Sequence, residues 1–412
     1  MRVLLLNHTF HPDVMASAQY LTDLAKELAA RGHEVTVISS RRAYDDPTTQ
    51  FPALEIWNGI HIERVWTTRL GKSAKWKRVV DFASFIVSCA TRMAFTPRPD
   101  VVVALTSPPL ISFLGACFAR WRRCGFVYWV MDLNPDEAIA AGWLKENSIM
   151  ARLLHAMSVF SFRSAAKIVV LDRFMRDRVR AKEIPEQKIA VLPPWSQDDE
   201  VRFDSKGREE FRATHQLKDR FVVMYSGNHS PCHPLTNLLS TAKELATNGD
   251  TRVVFCFIGG GSEFAKVKQF AASHALPNIV CLPYQPLDKL AASLSAADLH
   301  VVVMGDPFVG TIHPCKIYNI LKVGAPTLYI GPEESHVTDI FRVLATPIAI
   351  AHVSHGDAAR TLSAIDAARN QRSRPAVSAF FTEHFSKSVL LKSLADMVEN
   401  SAHPPRPSKT ND

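Results

Sequence analysis

The sequence predicts an α/β protein of two doubly wound domains, each a parallel sheet with helices on both faces, facing each other across a cleft. Three observations predict it. The 412 residues exceed what one ordinary hydrophobic core organises. Short β-branched runs alternate with stretches of helical period, as in a parallel sheet sealed by helices. The alternation also breaks once, from Pro193 to about Lys218, and then restarts.

In the first half, Arg2–Leu6 (RVLLL) is strand-like. Ala18–Ala30 follows with Leu21, Leu24, Ala25 and Leu28 at helical spacing, until Arg31-Gly32 ends it. Glu34–Ile38, Ile60–Val65, Val101–Ala104, Phe126–Val130, Lys167–Leu171 and Ile189–Leu192 repeat the strand pattern, with helical patterns between most of them. The polar break holds at most a short helix around Gly207–Ala213. Beyond it, Phe221–Tyr225, Arg252–Ile258, Asn278–Leu282, Leu299–Val303 and Thr327–Ile330 are expected strands. Leu235–Ala246, Glu263–Ser273, Pro286–Ala296 and Lys316–Val323 are expected helices. The chain thus divides into domains 1–200 and 219–375 joined by a linker, 201–218. A helix over 376–400 is expected to pack back on the first domain, and 401–412, without apolar anchors, is expected to be disordered.

Composition excludes little. The chain is 47% hydrophobic and 21% charged, ordinary for a globular protein. A net charge of +8 suits nucleic acid, an anionic membrane or phosphorylated ligands without choosing among them. The interleaved aromatic and basic platform of a nucleic-acid binder is missing, so no nucleic-acid partner is expected. Seven scattered cysteines without a CxxC pair read as reduced thiols rather than a disulfide or zinc framework. MRVLLLNHTFHPD is no signal peptide. Val101–Ala119 is long enough to cross a bilayer, but Ser107-Pro108-Pro109 in its middle favours a strand, a turn and a helix. The expected location is cytoplasmic, with peripheral attachment to the inner membrane face as a candidate. For that attachment, Arg69, Lys72, Lys75, Lys77 and Arg78 precede the apolar Phe82–Val87 and Met93–Phe95, and would join Arg120, Arg122 and Arg123 on anionic lipid. A solvated basic face is the alternative.

Ligands of such domains bind beyond the carboxyl ends of the strands, so the residues after each strand matter most. Tyr225-Ser226-Gly227-Asn228-His229-Ser230-Pro231-Cys232-His233-Pro234 leads from a strand into a helix near Leu235, where free N–H groups and the helix dipole favour a phosphate; a plain Gly-Asn turn is the alternative. Gly259-Gly260-Gly261 lets a ligand approach the backbone, yet it is not GxGxxG. In the segment Asp306 to Asn319, Lys316 opens a helix, where a lysine is unfavourable unless an anion sits beside it; a solvated lysine is the alternative. In the first half, His8 and His11 follow the first strand. Asp132 and Asp136 follow Tyr128-Trp129, where an acid would hydrogen-bond sugar hydroxyls, although Asp136 suits a helix N-cap equally well.

Taken together, HPD with LTDLAKELAARGHEVTVISSR, VVVALTSPPL, FVYWVMDLNPDEA, KIAVLPPW, VVMYSGN, FCFIGGG, LPYQPLDKL, LSAADLHVV and HPCKIYNILKVGAP resemble, in order and spacing, glycosyltransferase family 4. These are retaining enzymes with two Rossmann-like domains (the GT-B fold), and the likeness is to the bacterial exopolysaccharide and O-antigen branch. The resemblance implies a nucleotide-diphosphate sugar donor on 219–375, held at Gly227, Asn228, Gly259, Gly260, Gly261, His313, Tyr318 and Asn319. It implies a saccharide or polyprenyl-linked acceptor on 1–200 near His8, His11 and Asp136, with no cofactor and no obligatory metal. The family's Arg and Lys after the first glycine are replaced by Asn228 and His233, and its paired Glu by Thr311 and Asn319. Pro314-Cys315-Lys316-Ile317-Tyr318 fits the branch's Pro-Ser-Lys-hydrophobic-Tyr with one change. Lys316 and His233 are therefore expected to supply positive charge to the diphosphate, with Asp132 as the third catalytic candidate. A nucleotide-sugar epimerase on the same fold is the competing expectation. A nicotinamide oxidoreductase is disfavoured because neither domain opens with GxGxxG.

Overall fold

The computed structural model describes residues 1–13, 15–43, 48–71, 75–196, 201–344, 349–370 and 384–402. The chain forms two compact units. The first comprises Met1–Pro193 with Gly310–Ile312 and Leu390–Asp412; the second comprises Pro194–Val309 and His313–Val389.

The first unit carries β1 (Arg2–Leu6), α1 (Ala16–Ala30), β2 (Glu34–Ser40), β3 (Leu54–Trp57), β4 (Ile60–Val65), α2 (Lys75–Ala94) and β5 (Val101–Ala104). It continues with α3 (Ile111–Arg122), β6 (Gly125–Trp129), α4 (Asp136–Ala140), α5 (Ile149–Ser164), β7 (Lys167–Val170), α6 (Arg173–Arg180) and β8 (Ile189–Val191). Its eight strands lie in the order β3-β4-β2-β1-β5-β6-β7-β8, parallel except for the antiparallel edge strand β3. That hairpin escapes the sequence pattern because its exposed Leu54 and Ile56 alternate with half-buried Glu55 and Trp57. The central strands are buried on both faces, as the unbroken runs RVLLL and VVVA require. Helix α1 buries Leu21, Leu24, Ala25 and Leu28 against this sheet. It stops at Gly32, whose φ of 82° allows the left-handed turn in which the Gly32 and His33 N–H groups donate to Ala29 and Leu28.

The second unit carries α7 (Ser205–Thr214), β9 (Phe221–Asn228), α8 (Thr236–Thr247), β10 (Val253–Gly260), α9 (Phe264–Ser273), β11 (Ile279–Leu282) and α10 (Leu290–Ser295). It continues with β12 (Leu299–Val303), α11 (Lys316–Lys322), β13 (Thr327–Ile330), α12 (His336–Leu344), β14 (Ala349–Val353) and α13 (Ala358–Arg369). The sheet order is β11-β10-β9-β12-β13-β14, all parallel. Val223, Phe255, Phe257, Val301 and Leu328 share one core beneath α8 and α13, each full burial stabilising by about 1.5–3 kcal/mol.

The segment expected as a linker holds α7, which is tied to the second unit. Asp204 caps it by accepting from the Gly207 N–H at 2.8 Å. Arg208 and Arg212 both clasp Asp298, at 2.5 and 3.0 Å, and Asp298 in turn accepts from the Val222 N–H at 2.8 Å. A final helix, α14 (Lys387–Ser401), joins the first unit from Leu390 onward. Arg31 reaches Asp396 at 2.6 Å and Glu399 at 3.2 Å, and His33 meets Glu399 at 2.8 Å. A side chain at Gly125 would collide with the Ser401 carbonyl, so glycine there lets α14 lie close. The expected start of this helix in part, and nearly all of the expected disordered tail, lie outside the described residues.

Candidate active site

In each sheet the strand order reverses once, between β1 and β5 in the first unit and between β9 and β12 in the second. At such a reversal the connections leave in opposite directions and open a crevice beyond the carboxyl ends of the strands.

In the second unit, β9 and β10 run side by side past the expected strand ends, pairing Gly227 with Gly259 and Asn228 with Gly260. Gly227, Gly259 and Gly261 have φ of 133°, 136° and 121°. A side chain on Gly259 would strike the Gly227 carbonyl, and one on Gly261 the His229 carbonyl, so this close pairing requires glycine. Tyr284, 41% exposed, lies with its ring edge 3.0 Å from where a Gly260 Cβ would be. Because the ladder runs on, the His229 N–H donates to Gly260 at 2.7 Å and is committed. That N–H is therefore not among those the loop has free for an anion.

The basic group at this place is Lys316. Its Nζ lies 3.2 Å from where a Cβ on Gly227 would be and 3.4 Å from the centre of the Tyr225 ring, in cation–π geometry. That Nζ is buried and, among the described residues, has no hydrogen-bond partner. Burial drives the lysine well below its ordinary pKa, since desolvation penalises the charged form.

Two histidines line the same place. His229 shares Nδ1 with the Gly227 carbonyl at 3.0 Å, and His233 shares Nδ1 with the Val303 carbonyl at 2.7 Å, bridging β9 to the end of β12. A carbonyl only accepts, so both rings carry their proton on Nδ1 and present a bare Nε2. Burial, followed by the nearby Lys316, lowers His229 to about 4 and His233 to about 3. This corrects one expectation: His233 is neutral near pH 7 and supplies no positive charge, because its surroundings are dry and already hold a basic group.

The remaining donor-side candidates are placed as follows. Asn228 is exposed at the end of β9, its carbonyl accepting from the Tyr225 hydroxyl at 2.8 Å. Tyr318 is buried on α11, and its hydroxyl meets His313 Nε2 at 2.8 Å. Asn319 is half-buried on the same helix. The structure thus brings Gly227, Gly259, His233 and Lys316 together and sets His313 and Tyr318 as a mutually bonded pair.

In the first unit the reversal lies at the end of β1, where the His8 N–H donates to the Ser107 carbonyl at 2.6 Å and joins β1 to the turn after β5. The His8 ring packs edge-on against Phe85 at 4.8 Å. His11 stacks on Trp57 at 3.9 Å, and burial lowers its pKa. The Asp132 backbone N–H donates to Thr106 Oγ1 at 3.3 Å. Burial raises the carboxyls of both Asp132 and Glu137, and the Asp132 charge raises Glu137 further. Asp136 is neither the expected N-cap nor an open acid: α4 is capped at Pro135. Both Asp136 carboxylate oxygens lie 2.9 Å from Lys182 Nζ. Glu137 escaped the sequence reading. Which carboxylate of Asp136-Glu137 meets Lys182, 46 residues away, depends on tertiary structure.

The basic stretch is divided. Lys72 lies outside the described residues. Arg120, Arg122 and Arg123 end α3, at the rim opposite the start of α2. There Arg122 donates to the carbonyls of Ala94 and Thr96, and Arg98 to that of Arg123. A helix of 20 residues separates the two groups by about 30 Å, so they do not form the single patch expected. Val101–Ala119 is strand, turn and helix, and among the described residues no helix is long and apolar enough to cross a membrane.

Two parallel-stranded α/β units, each with one reversal of strand order, are the architecture of the GT-B fold. Residues 16–195 match the family described as "Glycosyl transferase 4-like domain". It is 24% identical to the colanic acid biosynthesis glycosyl transferase WcaI, as that Escherichia coli K12 protein is named, over 79% of this chain and 82% of WcaI. It is 27% identical to a Pseudomonas aeruginosa protein named as glycosyltransferase WbjE, over 59% of this chain and 60% of WbjE. Among solved structures, Anabaena Alr3699/HepE in complex with UDP-glucose superposes with a TM-score of 0.72 at 13% identity, covering 97% of this chain and all of that one. WaaG, a glycosyltransferase involved in lipopolysaccharide biosynthesis, superposes with a TM-score of 0.67 at 15% identity, covering 96% and 99%.

Proposed function

We propose that the chain transfers a sugar, with retention of configuration, from a nucleoside-diphosphate sugar to a saccharide or polyprenyl-linked acceptor in cell-surface polysaccharide assembly. The observation that carries this is Lys316: a buried amine beside Gly227 with no hydrogen-bond partner among the described residues. A diphosphate arriving there would supply the missing counter-charge. It would also raise the lysine's depressed pKa, so that donor binding takes up a proton. The leaving diphosphate gains negative charge as the glycosidic bond breaks, and a fixed ammonium in a dry site stabilises that charge most. Neutral His233 orients a donor hydroxyl through its Nε2 lone pair, while His229 is fully buried against Tyr225 and Phe264. Asn228 and the three glycines let the ribose approach the backbone, and Tyr284 offers a flat face to the base. On the first unit, His8, His11 and Asp132, together with Glu137, receive the acceptor's hydroxyls. The WcaI name and the HepE complex with UDP-glucose support the polysaccharide and nucleotide-sugar parts of this proposal.

Thermal shift against UDP-, GDP-, TDP- and CDP-sugars, with and without chelator, tests it. One donor should raise the melting midpoint by mass action, chelator should not abolish the rise, and Lys316→Ala should. A folded Lys316→Ala protein with normal donor response and turnover would overturn it.

A further inference from the structure

Tyr225 ends the buried run of β9 and is only 1% exposed, yet it does more than fill the core it shares with Val223 and Phe255. One face of its ring carries Lys316 Nζ at 3.4 Å. Among the described residues that is the closest cation–ring approach; the next, Arg173 over Phe174, is 4.0 Å. His229 meets the ring edge-on, with centroids 4.9 Å apart and planes at 72°, and is itself tied to the Gly227 carbonyl through Nδ1 at 3.0 Å. The hydroxyl at the far end of Tyr225 donates to the Asn228 carbonyl at 2.8 Å. Burial first, then Tyr284 and Cys232, raises the phenol well above its ordinary pKa, so it stays neutral and keeps that proton.

A ring face attracts an ammonium through its quadrupole but carries no net charge. A carboxylate in the same place would hold the lysine and also neutralise it. The ring holds it and leaves its charge uncommitted. An amine 3.4 Å above the ring directs one N–H at the face, and its remaining N–H groups point away. Glycine at 227 keeps a side chain out of the space beside that amine, since a Cβ there would lie 3.2 Å from Nζ. The other end of Tyr225 acts on the nucleoside side. Asn228, held by the hydroxyl, pairs with Gly260, against which the Tyr284 ring lies.

We propose that Tyr225 is a positioning residue for the donor: its ring holds Lys316 toward the diphosphate without neutralising it, and its hydroxyl holds the strand end that faces the nucleoside. The inference rests on the donor site of the proposed function. It assigns the alignment of that site to a residue that acts through Lys316 and Asn228 rather than by touching the donor.

Graded fluorination of the ring tests it, because fluorine weakens a ring's hold on a cation while barely changing its size. Phenylalanine, and then phenylalanine with one, two and three ring fluorines, replaces Tyr225 in the full chain by nonsense suppression. The probe is whichever of UDP, GDP, TDP and CDP raises the melting midpoint of the unaltered chain most, titrated by calorimetry. Tyr225→Phe should weaken its binding by no more than about tenfold, the worth of one hydrogen bond. Each fluorine should then weaken it further, reaching about another tenfold at three, the scale of a desolvated cation–π contact. In a Lys316→Met chain the residual binding should not respond to the same series, since coupling between two groups vanishes when either is removed. A flat series with Lys316 present, while Lys316→Met still weakens binding, would make Tyr225 a packing residue and leave the donor reading standing. Normal binding by Lys316→Met, or no thermal shift with any of the four nucleotides, would overturn the donor reading and this inference together.

Discussion

Two lysines withdrawn from water differ in one respect. Lys182 on the first unit has a side chain only 8% exposed and meets both oxygens of Asp136 at 2.9 Å. Lys316 on the second has a buried Nζ, an aromatic face at 3.4 Å and, among the described residues, no hydrogen-bond partner. Withdrawing an ammonium from water costs several kcal/mol unless a counter-charge is near. Lys182 has that counter-charge within the fold, and its role is complete there. Lys316 has only the Tyr225 ring, which compensates by about 0.5–2 kcal/mol. In the proposed function, the donor diphosphate would offset that cost from outside.

The comparison breaks if the two lysines respond alike to removal. Lys316→Met keeps the shape and deletes the charge. Transfer should fall by about 10²–10³-fold, the usual loss for one group that stabilises developing charge. The melting midpoint without donor should hold or rise, since an uncompensated polar group is gone. Lys182→Met should do the opposite, because it strands Asp136. Stability should fall by about 3 kcal/mol, the lower end of the range for breaking a buried pair, given that Asp136 keeps 19% exposure. The donor-induced shift should survive. Steady-state transfer and calorimetry on the two variants decide this. A Lys316→Met protein that loses as much stability as Lys182→Met would make Lys316 an ordinary core residue.

How much of this was legible beforehand follows from the range of the interactions. Every strand built from a continuous apolar run, RVLLL or LHVVV, could be placed, because a doubly covered parallel strand is written locally. Strand β14 (AIAHV) and helices α12 and α13 lie in a segment whose pattern is weaker, and only packing on β13 and α8 reveals them. At the site, Gly227, the Gly259 turn and Lys316 were readable as turn chemistry and as a misplaced charge. The ionisation of His233 was not. Its neutrality rests on Val303, 70 residues away, and on Lys316, neither of which is its neighbour in sequence. Asp136 was misassigned for the same reason, with Lys182 lying 46 residues further on.

The acidities of the two units sharpen the contrast at smaller amplitude. Asp132 and Glu137 have raised pKa values in the folded chain, Asp132 from burial and Glu137 from burial first and the Asp132 charge second. A raised folded pKa gives stability that is complete below the unfolded carboxylate pKa and lost as pH climbs through the folded one. His229 and His233 are lowered to about 4 and 3, so their contribution is complete above the ordinary histidine pKa and lost as pH falls through those values. The first unit's rim should therefore soften toward alkali and the second unit's toward acid. Glu137→Gln removes the first trend. It should raise the melting midpoint at pH 8, by about 2–4 °C for each kcal/mol recovered, and leave it unchanged at pH 4, where the wild-type carboxyl is already protonated. His233→Asn, which can still donate to Val303, should flatten the acid limb without touching the alkaline one. Hydrogen exchange across pH, followed in peptides spanning 130–140 and 225–235, separates the two. If both segments loosened on the same side of neutrality, the opposite ionisation of the two rims would be wrong.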